Sequence, residues 1–115
     1  GSSNAFTIFI SDNGATGAGA SVSVSSTTLQ AVGEWRHVVG TFDGAGTVKI
    51  YVDGVLEGTT TDTGVASIFN SSRALRIGNL STGSELYSDA TIDEVRIYNR
   101  ALSSSEVATL YNSGR

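Results

Sequence analysis

Apolar and polar residues alternate with period two along most of the chain, in short segments bounded by Gly, Asn, Asp and Ser clusters. That is the pattern of an all-β sandwich or barrel built from half-buried strands. Residues 6–10 (FTIFI) predict a strongly apolar strand that stops at Ser11-Asp12-Asn13-Gly14, where Asn and Gly tolerate positive φ. Residues 20–25 alternate Ser with Val, and residues 34–42 (EWRHVVGTF) predict a strand closed by the turn Asp43-Gly44-Ala45-Gly46. Residues 47–52 (TVKIYV) lead through Asp53-Gly54 into Val55-Leu56-Glu57. A two-residue Asp-Gly loop predicts a hairpin, because a type I′ turn needs positive φ at both central positions. Further strands are predicted at 74–78 (ALRIG) and 91–98 (TIDEVRIY). In the latter, Asp93, Val95 and Ile97 share one face while Ile92, Glu94, Arg96 and Tyr98 share the other.

The period changes only near the end. Ser103 and Glu106 form a capping box, in which each side chain accepts from the other's backbone amide, and Leu102 can staple onto Val107. A short helix is predicted over about residues 104–111, with Val107, Leu110 and Tyr111 as its apolar stripe, lying against the sandwich.

Composition narrows the functional classes. The chain has 115 residues, which fits a single domain over 1–115, with Gly1-Ser2 set aside as a possible cloning remnant. There is no Cys, so disulfides and Cys-ligated metals are excluded. A net charge of −4, with Lys49 the lone lysine, lacks the basic face a nucleic-acid binder needs. No apolar run approaches the roughly 18 residues of a membrane span, so no membrane insertion is expected. Ser, Thr and Gly together supply 44 residues and charged residues only 16%. That balance suits a secreted or cell-surface β protein.

Candidate chemistry is sparse. His37 is the single histidine, so any His metal cluster or Ser-His-Asp triad would have to be built around it. Its place mid-strand beside Trp35 and Val39 reads as structural. Asp93 and Glu94 are adjacent, point to opposite faces of a strand and so form no catalytic pair, while Glu94 and Arg96 share a face as a surface charge pair. Asp12, Asn13 and Asp43 are turn formers, and no D-x-D-x-D-G calcium loop occurs. The aromatic candidates for a sugar platform are Trp35, Tyr51, Tyr87 and Tyr98. Trp35 is expected in the core, and Tyr87 in the 81–90 loop is the most ligand-like. Tyr51 and Tyr98 are out of phase with the apolar sets and should face the outside of a sheet, as ligand surface or as edge packing.

Three segments carry a family resemblance: EWRHVVGTFDG at 34–44, VKIYVDGVLEG at 48–58 and IDEVRIYNRALSSSEVATLY at 92–111, with ALRIGN at 74–79 between the last two. In order and spacing they resemble the laminin-G-like modules of the concanavalin A-like lectin and glucanase superfamily. The resemblance implies an antiparallel jelly-roll sandwich with one short C-terminal helix, used as a non-catalytic module that binds carbohydrate or protein outside the cell. Glycosidases of related sandwiches carry an E-x-D-x-x-E set, which this sequence lacks, so no enzyme is expected. The resemblance also implies a structural Ca2+ at Asp93, held in relatives with carbonyls near the N-terminus. Family members begin with further strands that this sequence does not show. Open sheet edges are therefore expected, and with them a possible homodimer in which strands complement each other, an assembly role that stands as the alternative to ligand binding.

Overall fold

The computed structural model describes residues 4–72, 75–77, 79–81, 85–87 and 89–114, with the backbone alone for 79–81 and 85–87. Among the described residues seven strands and one helix follow in order: β1 (Ala5–Ser11), β2 (Ser21–Leu29), β3 (Val38–Phe42), β4 (Thr47–Val52), β5 (Val55–Thr61), β6 (Asn79–Ser81), β7 (Glu85–Tyr87) and α1 (Ser104–Ser113). β1 and β2 form one antiparallel pair, β3-β4-β5 an antiparallel meander, and β6 and β7 a short separate hairpin.

Alternation decides how these layers meet. Phe6, Ile8 and Ile10 of β1 and Val22 and Val24 of β2 face Val38 and Phe42 of β3 and Val48 and Ile50 of β4, with Val65 plugging one end. This is the core of a sandwich, since each sheet buries the same parity of residues against the other. β2 approaches β5 closely at Gly58, where a Cβ would lie 2.6 Å from Val24 Cγ2 and 3.0 Å from the Ser25 carbonyl.

Side chains fill gaps in the ladders. The β1–β2 register slips between Ala5 and Thr7, and there the Ser26 hydroxyl accepts from the Phe6 amide at 2.9 Å and donates to the Thr28 carbonyl at 2.7 Å. β5 bulges between its partners Ile50 and Tyr51. The bulged residue, Glu57, reaches across to accept from the Thr28 amide at 2.8 Å, the Thr27 amide at 3.1 Å and the Thr28 hydroxyl at 2.5 Å. Asp62 ties the end of β5 to the loop before β2 through the Gly19 amide at 2.7 Å.

The Asp53-Gly54 hairpin forms as expected, with φ of 50° and 82°. The helix also forms, capped reciprocally by Ser103 and Glu106, and it seats Val107 and Leu110 with Leu102 on Val39 and Tyr51, on the outer face of the meander.

Three expected strands differ. The 34–42 strand begins only at Val38: the His37 carbonyl still accepts from the Asp53 amide at 2.8 Å, but the His37 amide donates to a side chain, Asp53 Oδ1, at 3.0 Å. Residues 91–98 form no strand, since no described residue offers them backbone bonds, and the chain turns left-handed at Glu94 with φ of 52°. Of the 74–78 segment, residues 75–77 are not strand, and Ala74 and Gly78 lie outside the described residues.

Candidate functional site

An open cleft of about 2010 Å³ runs between residues 30–37 with β3 on one side and residues 89–98 on the other, closed at one end by Leu110 and Tyr111 of α1. Small-molecule pockets occupy about 300–1,000 Å³, and this groove is both larger and open. A side pocket of about 330 Å³ continues it between Tyr98 and α1, lined by Arg100, Leu102 and Glu106 among others.

The walls follow from the fold. Trp35, expected in the core, is 67% exposed. It precedes β3, outside the sandwich interior, and no described element covers it. On the facing wall Ile92, Val95 and Tyr98 are exposed, Tyr98 by 44%.

The polar groups are mostly engaged in structure. Arg36 donates to Asp53 Oδ2 at 2.8 Å and to Glu34 Oε2 at 2.6 Å. Burial pushes the Asp53 carboxyl up, but the His37 amide and the Arg36 guanidinium outweigh it and hold it below the usual range. His37 lies against Tyr111, ring centroids 5.8 Å apart, and its Nδ1 is buried with no hydrogen-bond partner among the described residues. A catalytic histidine needs an acid on one nitrogen and a nucleophile on the other, and among the described residues Nδ1 meets no acid. Asp93 is exposed, and its Oδ1 accepts from the Glu94 amide at 2.8 Å. Among the described residues no three His, Cys, Asp or Glu side chains gather as a metal site.

The three tyrosines separate. Tyr51 does point away from the intersheet core, but it is 2% exposed beneath α1, with its hydroxyl 3.1 Å from Ser104 Oγ. The expectation of a ligand-facing Tyr51 is therefore corrected, because the helix seals that face. Tyr98 stands on the cleft wall, although not on a strand. Tyr87, expected in a loop, has its backbone in β7 opposite Asn79, and its side chain lies outside what the structure describes. Phe9 of β1 is an exposed aromatic that the alternation places on the outer face of the other sheet. The two features missed in the sequence are Trp35 as a surface residue and the cleft itself. Both depend on which strands are present to cover them, and no local pattern reports that.

Comparison with known proteins agrees with this architecture. A crystal structure of residues 221–444 of an S-layer domain-containing protein from Clostridium thermocellum is similar, at 26% identity and a TM-score of 0.54, over 84% of this chain and 48% of that one. The chain thus spans about half the length of the solved chain it matches. No curated protein sequence matches. A laminin-G family model of the concanavalin A-like lectin/glucanases superfamily matches residues 1–108. With its sandwich of antiparallel sheets and its capped C-terminal helix, the chain belongs to the laminin-G-like family of the concanavalin A-like superfamily.

Proposed function

We propose that this domain is a non-catalytic recognition module of a secreted or cell-surface protein, and that it binds an extracellular glycan or protein in the cleft. The observation that carries the reading is the exposure of Trp35 and Tyr98 on facing walls of an open groove, since aromatic side chains dominate the energetics of recognition surfaces. Laminin-G-like membership and similarity to an S-layer domain-containing protein support an extracellular setting. The binding role is also supported by the engagement of Asp53, Arg36 and Asp93 in structural hydrogen bonds, which leaves no activated acid–base pair among them.

The test is a glycan and matrix-protein array probed with the wild type, Trp35→Ala, Tyr98→Ala, Tyr87→Ala and Phe9→Ala. Loss of about tenfold or more in affinity for Trp35→Ala and Tyr98→Ala, with Phe9→Ala unchanged, is expected. Loss confined to Tyr87→Ala would move the site to the β6–β7 hairpin. Hydrolysis of any arrayed glycan would overturn the non-catalytic reading.

A further inference from the structure

The cleft is bordered by two backbone segments that, among the described residues, have no hydrogen-bonded neighbour on the side facing it. The cross-strand bonds from Asp53 N to His37 O and from Asp43 N to Thr47 O fix the phase of the β3–β4 ladder. In an antiparallel pair, alternate residues turn their N–H and C=O groups outward, so Val38, Gly40 and Phe42 present theirs away from β4. β3 is an end strand of its sheet, and Val38 and Gly40 line the cleft. Opposite, residues 91–98 have the alternation of a strand, yet make no backbone hydrogen bond to another described residue. Val95 is 51% exposed and Ile97 73%. One side is an open edge and the other an unused strand sequence, and edges of this kind are templates for pairing.

The exposed area leaves room for a further contact. A monomer of 11.8 kDa is expected to expose roughly 5,900 Å², whereas this chain exposes 7888 Å². The excess, about 2,000 Å², exceeds the roughly 800 Å² per partner of a stable interface. From these observations we infer that the cleft is filled by a second copy of this chain, each copy laying residues 91–98 along the β3 edge of the other. The inference rests on the recognition reading only in its choice of the cleft, and it takes the assembly role, the alternative to ligand binding, as what fills it. A second copy is favoured because the chain itself carries both halves of the contact, and a two-fold axis satisfies both at once. Pairing requires Glu94 to leave its left-handed φ for an extended one, as added strands do.

The experiment is solution mass by light scattering over about 1 μM to 1 mM, on the wild type, Val95→Pro and Ile97→Lys. Both substituted residues are exposed in the single copy, so at dilutions where the wild type is monomeric the far-UV circular dichroism of the variants should match it. The wild type is expected at twice 11.8 kDa and both variants at the monomer mass, their association weakened at least about tenfold. A wild type that is monomeric throughout overturns the inference. A dimer that survives both substitutions overturns it too, since another surface then holds the copies together. The array on the same preparations judges the recognition reading separately: array binding by a monomeric wild type that Trp35→Ala abolishes removes only the self-pairing, and neither binding nor dimer removes both.

Discussion

A single carboxylate holds the two sheets together where the ladder of β5 is broken. Glu57 sits at the bulge and accepts three hydrogen bonds from Thr27 and Thr28 at the end of β2, and those donors hold its carboxyl below the usual range. Replacing Glu57 with Ala leaves two amides to find water, and a loss of about 1–2 kcal/mol is expected in urea unfolding. Its neighbour Gly58 acts by space: the Cβ of Gly58→Ala would meet the Ser25 backbone as well as Val24, for about 1–3 kcal/mol by the same measurement. Asp93 is a different case. Calcium takes six to eight oxygens, and among the described residues no group of three acidic or histidine side chains gathers around Asp93 to supply them. Calcium is therefore expected to leave the melting temperature unchanged; a rise that Asp93→Ala abolishes would restore this residue as a ligand.

At the level of elements, α1 is the part whose formation was most legible beforehand, because its signals are local. Ser103 Oγ accepts from the Glu106 amide at 3.2 Å, and Glu106 accepts from the Ser103 amide at 3.0 Å. The Arg100 guanidinium grips both oxygens of Glu106. Arg100 first, then the Ser103 amide, lower the Glu106 carboxyl from 4.5 to about 2. A carboxyl lowered on folding stabilises fully above its unfolded value and loses that contribution as pH falls through the folded one. Helix stability should therefore decline between about 4.5 and 2. The unfolding midpoint of Glu106→Gln, followed across that window, should fall less steeply than that of the wild type. The Asp53-Gly54 hairpin was legible for the same local reason. The 91–98 strand and the buried Trp35 were not, because a strand is completed by its neighbours, and period two reports which residues share a face without reporting what lies beside them. Tyr51 shows the other limit: its parity was right, but only the folded chain reveals that α1 covers that parity.

The molecule as a whole is most firmly built around β4 and least firmly along the cleft. β4 is central in its meander, with Val48 and Ile50 against the β1–β2 sheet and Tyr51 under α1. The radius of gyration, 14.5 Å, is somewhat above the roughly 13 Å of a closed domain of this length, as an open groove requires. Amides opened only by global unfolding exchange slowest, and those without backbone bonds exchange almost at once. Hydrogen exchange at high dilution should thus find Ile50 and Tyr51 among the slowest amides and residues 91–98 among the fastest. Raising the protein concentration separates two explanations for the unpaired segment. If residues 91–98 find their partner in another copy, their protection grows with concentration while that of β4 barely changes, and trypsin cleavage after Arg96 slows in parallel. A segment that stays unprotected at every concentration has no partner within this chain, and the groove is then open to a ligand of another kind.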